Sequence, residues 1–164
     1  MIALSNIVTA RYSPFVLFDG FLILPVGSVF AGFVFVLRDF VQLKHGRKKA
    51  YVTILCAMVI SAFISIAVGD TAHIAVASTL SFLISETIDT EVFSYFKKSL
   101  VARVLLSGIV GGIADSAIFV VIGLSPIGTG ALTWHQVPFA VVGQVLAKMV
   151  VQLAAAGVIA RQTY

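Results

Sequence analysis

The sequence predicts an all-α fold, a polytopic membrane helix bundle with five long transmembrane helices and a short N-terminal half-helix. Of its 164 residues, 60% are hydrophobic and only 11% are charged, and the mean hydropathy is +1.09. A soluble domain cannot hide so much apolar surface. Crossing a hydrocarbon core of ~30 Å takes about 20 apolar residues. The chain therefore has room for five or six crossings in a single integral membrane domain, residues 1–164.

Long apolar runs separated by short polar breaks place the individual helices. At ~1.5 Å per residue, residues 1–10 form too short a segment to span a bilayer, so we expect a half-helix there. An irregular link around Pro14, Asp19 and Gly20 follows it. The apolar runs predict five long helices at residues 25–44, 50–68, 72–96, 101–124 and 136–160.

Basic residues lie in alternate breaks between these helices. Residues 44–49 read KHGRKK and residues 97–103 contain two lysines and an arginine, whereas residues 69–73 and 125–135 contain no lysine or arginine. By the positive-inside rule, the two basic breaks are cytoplasmic. We therefore expect a multi-pass protein of the cell inner membrane whose C-terminus is cytoplasmic. The net charge of +4 is a topology signal here, and nucleic acid is not an expected partner.

Signals for catalysis or metal binding are weak. Cys56 is the one cysteine, which excludes a disulfide framework or a cysteine metal site within the chain. The histidines lie in loops without a ligand at helical spacing, and His73 and His135 fall with Trp134 near the outer boundary, where Trp is a common interfacial anchor. A nucleophile elbow, a phosphate-binding loop and an HExxH motif are all missing. We expect no enzyme, no metal and no cofactor.

Four ionisable residues interrupt the apolar helices, namely Glu86, Asp89, Asp115 and Lys148. An ionised side chain at membrane depth costs roughly 2.5–3.5 kcal/mol, so such residues pair, change protonation or line a wet cavity. The rise per residue along each helix places Glu86 and Lys148 at similar depths in the membrane. The side chain of Lys148 is therefore expected to reach Glu86 more easily than it reaches Asp89. Proton coupling through Glu86, Asp89 or Asp115 is left open.

Helical spacing groups these residues into faces. Glu86, Asp89 and Phe93 share one face of the third long helix. If this face, a polar stripe on the last helix and the face bearing Asp115 converge, the bundle encloses a binding site for a polar molecule. A purely structural charge cluster is the alternative. The polar stripe on the last helix consists of Gln144, Lys148 and Gln152.

Two further features have readings without a ligand. Arg38 and Asp39 stand near the cytoplasmic end of the first long helix, where long side chains can snorkel to water, so an ion pair or helix-end anchor competes with a functional role. Gly108 and Gly112 form a small-xxx-small pair, for which close packing within the chain is favoured over packing against a second copy. A homodimer remains an open possibility.

Four segments together resemble one known family. They are FVLRDFVQLKHG at 35–46, LISETIDTEVFSYFKK at 83–98, SGIVGGIADSAIFVVIGL at 107–124 and QVLAKMVVQ at 144–152. In order and spacing they are similar to the vitamin-uptake-transporter-like family, which includes bacterial queuosine-precursor transporters. The family's RD pair falls on Arg38 and Asp39. Its E-x-x-D-x-x-x-F and G-x-x-x-DS-x-x-F patterns and its lysine of the last helix fall on Glu86, Asp89 and Phe93, on Gly111, Asp115, Ser116 and Phe119, and on Lys148.

The resemblance implies six membrane helices and import of a 7-deazaguanine base, although the first helix is shortened here. Glu86 or Asp115 can accept the paired N–H donors of such a base. The rings of Phe93 and Phe119 can hold the flat heterocycle, and Gln144 can complete its hydrogen bonds. The predicted substrate-binding residues are Glu86, Asp89, Asp115, Lys148, Gln144, Phe93, Phe119 and Ser116.

These expectations define three hypotheses. The first is an importer of a queuosine precursor or a related small heterocycle, working by alternating access. The second is a substrate-binding vitamin-uptake subunit that needs separate energising proteins. The third is a non-transporting membrane scaffold whose charges only lock helices together. In each case the expected partners are the lipid bilayer and, for the first two, a small-molecule heterocyclic base.

Overall fold

Five long helices dominate the computed structural model of the chain, which describes residues 15–17, 22–24, 27–68 and 72–162. The helices are α1 (Gly27–His45), α2 (Arg47–Val68), α3 (Ala72–Tyr95), α4 (Leu100–Phe119) and α5 (Val137–Gln162). All five predicted long helices are present, with ends within a few residues of those expected. The predicted half-helix at residues 1–10 and the link residues Pro14, Asp19 and Gly20 lie outside the described residues.

The described chain is predominantly helical, as predicted, and a short β-hairpin precedes the helices. Strands β1 (Phe15–Leu17) and β2 (Leu22–Leu24) pair antiparallel, with Phe15 opposite Leu24. Apolar β-branched and aromatic residues on both sides of Asp19 and Gly20 favour such a pairing. Strand β2 packs against α5, which attaches the hairpin to the bundle.

The helices follow one another around a ring. Each packs against the next in the chain, and α5 packs back against α1, while α3 and α4 share the most extensive contact. Gly46 separates α1 from α2 with a φ of 81°, a left-handed conformation in which glycine avoids the steric cost of a side chain. A five-residue π-helical segment, Val120–Leu124, extends α4.

The polarity of this bundle is inverted relative to a soluble protein. Among the described side chains, large apolar residues on all five helices face outward, including Phe33, Phe63, Ile84, Ile113 and Val150. Buried side chains are at least as often polar or charged as apolar. This arrangement suits a lipid environment, because hydrocarbon solvates the outer surface while the bundle interior satisfies the polar groups.

Two helices in the described part of the chain are long and apolar enough to cross a membrane by length and composition alone. They are Leu100–Leu124, with a mean hydropathy of 2.1, and Val137–Gly157, with 1.7. Helix α1 contains Arg38, Asp39 and Lys44, and α3 contains three acidic residues, which lowers the hydropathy of both. Five transmembrane helices thus remain a prediction, supported by the outward apolar faces.

The two basic turns lie at the same end of the bundle. Arg47, at the start of α2, forms an exposed ion pair with Glu91 in the last turns of α3, and Tyr51 donates a hydrogen bond of 2.5 Å to the same carboxylate. The turn after α1 and the turn after α3 are therefore neighbours, as the positive-inside rule requires of two loops on one side. The predicted orientation toward the cytoplasm remains a prediction.

Candidate functional site

Arg38 is the centre of the larger of two buried polar networks. Its Nε donates to Glu86 Oε2 at 2.9 Å, and its Nη1 donates to Gln42 Oε1 at 2.7 Å and to Thr90 Oγ1 at 3.0 Å. Its Nη2 lies 3.3 Å from Asp39 Oδ1 and also forms an ion pair with Asp89. A guanidinium has five N–H donors in a rigid fork. Each of the three guanidinium nitrogens therefore has a hydrogen-bond or ion-pair partner.

This network contains the expected ion pair of Arg38 with Asp39 but contradicts the expectation that these side chains snorkel to water. Both side chains are 3% exposed, so they do not snorkel to water at the helix end. Arg38 lies two turns before the end of α1 and points across the bundle to α3. It is not among the predicted binding residues. Charge balance was the available signal, because Lys148 alone cannot neutralise Glu86, Asp89 and Asp115 inside a bundle.

Helix α1 also supplies a second polar side chain to this network. Gln42, one turn after Arg38, donates from Nε2 to the carbonyl oxygen of Thr90 at 3.1 Å and to Ser94 Oγ at 2.9 Å. These bonds hold α1 in register with the last two turns of α3. A crevice between α1 and α4, lined by Asp39, Phe40, Leu43, Leu100 and Val104, reaches the edge of the network.

Lys148 is the centre of the second network, between α4 and α5. Its Nζ donates to Asp115 Oδ2 at 2.5 Å and to Ser116 Oγ at 2.7 Å. Glu86, its predicted partner, binds Arg38 instead. The number of residues along each helix predicts how deep a side chain lies in the membrane, but it does not predict which helices are neighbours. In the ring, α5 adjoins α4 rather than α3. The side chain of Asp115 is 15% exposed, compared with 1% for Lys148.

The two networks adjoin each other along the α3–α4 contact. Ser85 Oγ lies 3.5 Å from Asp115 Oδ1, and Glu86 is close enough to Asp115 for their charges to interact. A Cβ atom built on Gly111 would lie 2.8 Å from Asp89 Cβ, closer than real Cβ atoms approach. The absence of a side chain at Gly111 therefore lets α4 lie close to the acidic face of α3.

The small residues of α4 pack within the chain. Gly112 faces Lys148, with a Cβ-to-Cδ distance of 3.8 Å for a built Cβ, and a Cβ on Gly108 would overlap the carboxamide of Gln152. These contacts support the interpretation of Gly108 and Gly112 as a helix packing surface inside one chain. The homodimer stays a prediction.

Several buried polar atoms in the described part of the chain have no hydrogen-bond partner. Three of them, Arg38 Nη2, Asp39 Oδ1 and Asp89 Oδ2, take part in ion pairs. The others are Glu86 Oε1, Asp89 Oδ1 and both amide atoms of Gln152. Leaving a buried polar atom unpaired costs roughly 1–3 kcal/mol, so unpaired atoms in a polar centre are candidates for ligand contacts. Gln144, on the same stripe of α5, is 2% exposed.

The two predicted aromatic residues lie in different surroundings. Phe93 is 1% exposed and packs against Val104, and the Arg103 guanidinium lies 4.0 Å from its ring centroid. Arg103 Nε also donates to the Phe93 carbonyl oxygen at 3.0 Å. Phe93 is thus in contact with a cation of its own chain, about two turns from Glu86. Phe119 is partly buried one turn after Asp115.

The remaining candidates lie outside both networks. Cys56, His73, Trp134 and His135 are exposed, and the ring of His135 lies 5.7 Å from that of Phe139. Among the residues the structure describes, no group of three or more His, Cys, Asp or Glu side chains is arranged to hold a metal ion.

Comparison with known families bears on this site directly. Residues 62–161, which include Glu86, Asp89, Asp115 and Lys148, match the family described as "Putative vitamin uptake transporter". The chain belongs to this vitamin uptake transporter family. No curated protein and no solved structure matches the chain. Family membership and the outward apolar faces together indicate a membrane protein of the transporter class. The family match covers the residues that α3, α4 and α5 contribute to the two networks, whereas Arg38, Asp39 and Gln42 of α1 lie outside it.

Proposed function

We propose that the chain is a secondary importer that carries a 7-deazaguanine base, a queuosine precursor, or a related small heterocycle into the cytoplasm. The observation that carries this proposal is the Asp115, Lys148 and Ser116 set, which places a carboxylate, an ammonium and a hydroxyl between α4 and α5. Membership of the vitamin uptake transporter family supports the transport class. The cargo is what the resemblance to queuosine-precursor transporters implies, and the chemistry of the side chains supports it.

Asp115 is the proposed acceptor for the donor edge of the base. A guanine-type edge presents adjacent N–H groups that one carboxylate can accept as a pair. Asp115 Oδ2 is held by Lys148, whereas Oδ1 has only the long 3.5 Å contact with Ser85. Its partial exposure makes it the most accessible carboxylate of the two networks. Lys148 and Ser116 would hold the carboxylate in place while the base binds.

Other residues around Asp115 would complete the pocket. The carboxamide of Gln144, one turn before Lys148 on α5, can donate to a carbonyl oxygen of the base and accept from an N–H group. The ring of Phe119 offers a flat apolar surface one helical turn from Asp115. Gln152 adds a second buried carboxamide with free donors and an acceptor. Phe93 is a weaker candidate because Arg103 already stacks on its ring.

Uptake of labelled base into cells that lack their own transporter tests the proposal. A charge-assisted hydrogen bond contributes about 1.5–3 kcal/mol, so Asp115→Asn is expected to reduce the affinity for the base about 10- to 150-fold and uptake at low concentration accordingly. Glu91→Gln, at an exposed carboxylate on α3, is the matched control and should transport normally. Wild-type uptake rates in both Glu86→Gln and Asp115→Asn would show that the proposed site is wrong.

One observation favours a different candidate, the charge-locked scaffold. Each nitrogen of the Arg38 guanidinium has a hydrogen-bond or ion-pair partner in its own bundle, so this network can hold helices together without any ligand. Thermal stabilisation of the purified protein across a panel of deazapurines separates the candidates, because a ligand that binds the folded state raises its unfolding temperature. Stabilisation by none of them would favour the scaffold.

A binding subunit that depends on separate energising proteins would also be stabilised by its ligand. Purified protein in liposomes distinguishes it from an importer. An importer should accumulate labelled base inside the liposomes, whereas a binding subunit alone should bind the base without sustained transport.

A further inference from the structure

The Arg38 network contains more buried negative charge than positive charge. Asp39, Glu86 and Asp89 surround a single guanidinium, and each of the four side chains is at most 3% exposed. Arg103, partly buried on α4, is close enough to Asp39 for their charges to interact. Even with Arg103 counted, three carboxylates face two cations. A buried carboxylate without a counter-charge is strongly disfavoured.

The neighbouring network does not supply the missing positive charge. Lys148 is balanced by Asp115, with Nζ 2.5 Å from Oδ2. Asp115 instead adds a further carboxylate next to Glu86. Helix α2 supplies no nearby cation among the described residues, because its basic residues lie at the exposed end of the bundle. The charged groups facing Glu86 are Arg38 and Asp39 from α1, Asp89 from α3, Asp115 from α4 and, behind Asp115, Lys148 from α5.

Glu86 is the carboxyl group best placed to hold a proton. Its Oε2 accepts from Arg38 Nε at 2.9 Å, whereas its Oε1 is buried without a hydrogen-bond partner in the described structure. Asp89 also has an oxygen without a partner, Oδ1, but its Oδ2 forms an ion pair with Arg38. Glu86 additionally interacts with the like charge of Asp115 in the second network. A proton on Oε1 removes the excess charge and the repulsion with Asp115 while it leaves the bond to Arg38 intact.

We propose that Glu86 binds a proton on Oε1 and that this proton is carried inward together with the substrate. The co-transport of the proton rests on the proposed import function, whereas the proton site on Glu86 does not. The O–H bond forms with a proton from the outer solution and breaks with release of that proton to the cytoplasm. No other reactant is consumed.

The interaction between Glu86 and Asp115 makes proton binding and substrate binding favour each other. Substrate binding requires Asp115 to be ionised, and an ionised Asp115 favours the neutral form of Glu86 through like-charge repulsion. Binding linkage is reciprocal, so a proton on Glu86 removes a negative charge near Asp115 and thereby favours substrate binding there. Proton and substrate therefore bind cooperatively, which is the requirement for symport.

Infrared spectroscopy of the purified full chain tests the proton site without any substrate. The wild type should show a carboxylic acid carbonyl band at neutral pH that is lost in Glu86→Gln. Glu91→Gln should retain the band, because Glu91 is exposed and paired with Arg47. Asp115→Asn should lose the band at a lower pH than the wild type, and it provides a readout if Glu86→Gln fails to fold. A band that persists in folded Glu86→Gln would overturn the assignment.

Proteoliposomes with an imposed pH gradient test the coupling. We expect the ratio of labelled-base uptake with and without an acidic outer solution to exceed one in the wild type and in Glu91→Gln. In Glu86→Gln this ratio should fall to one. An undiminished ratio in Glu86→Gln would overturn the coupling. A wild type that transports no base at any gradient, yet shows the expected infrared band, would refute the proposed cargo and leave the proton site supported.

Discussion

Replacing Arg38 by methionine removes the cation that joins α1 to the acidic face of α3. Methionine keeps the apolar stem but not the guanidinium, so Glu86 Oε2 loses its hydrogen bond and Asp39 and Asp89 lose their ion pairs. Buried carboxylates are then left without a counter-charge. The matched control is Arg47→Met, because Arg47 also pairs with a carboxylate of α3 but is 53% exposed.

The difference in burial sets the expected magnitudes. Removing one partner of a buried ion pair destabilises a protein by about 3–5 kcal/mol, whereas an exposed pair contributes about 0–1 kcal/mol. With about 2–4 °C of unfolding temperature per kcal/mol for a chain of this size, Arg38→Met should unfold about 6–20 °C below the wild type. Arg47→Met should lie within about 4 °C of it.

Thermal unfolding of the detergent-purified protein, followed by size-exclusion chromatography of the heated samples, measures both variants. If Arg38→Met does not fold at all, Arg38→Lys provides a milder test, since lysine retains the charge but not the five-donor fork. Equal unfolding temperatures for Arg38→Met and Arg47→Met would refute the conclusion that the Arg38 network is buried and holds the bundle together.

Three further predictions concern packing, charge and topology. Gly111→Ala should destabilise the protein by about 1–3 kcal/mol because the new Cβ would clash with Asp89 on α3. Gly112→Ala should be neutral or stabilising by up to ~1 kcal/mol. Equal unfolding temperatures of the two variants would contradict the close α3–α4 contact. Lys148→Met should lower the unfolding temperature more than the double variant Lys148→Met with Asp115→Asn does, because the double variant leaves no unpaired charge. If the decreases in unfolding temperature of the two single variants simply add in the double variant, Lys148 and Asp115 do not pair directly. In a cysteine-free background, a cysteine in place of Lys98 should resist a membrane-impermeant thiol reagent added to intact cells, while one in the loop before α5 should react; the reverse pattern would invert the predicted orientation.

The helix positions could be predicted from the sequence because the signals for them are local. Long apolar runs end at charged or glycine-containing breaks, and Gly46 supplies the left-handed residue that ends α1. The β-hairpin could not be predicted in this way. Its strands are three residues long, too short for an alternating pattern to stand out from the surrounding apolar residues.

The buried residues could be predicted better than their partners. Intramembrane position alone indicated that Glu86, Asp115 and Lys148 face inward. Which groups pair depends on the order of helices around the ring, and helical spacing within single segments carries no information about that order. The sequence therefore could not show that Lys148 binds Asp115 instead of Glu86. Nor could it show that the cation bound to Glu86 is Arg38 of α1, which resembles an ordinary helix-end arginine in the sequence.

Equilibrium binding of a labelled 7-deazaguanine base to the purified protein tests the central claim most directly. The wild type and Glu91→Gln should bind the base with the same Kd. Asp115→Asn should bind it about 10- to 150-fold more weakly, because one charge-assisted contact is lost. An unchanged Kd in folded Asp115→Asn would contradict the assignment of the substrate site to the network around Asp115 and Lys148.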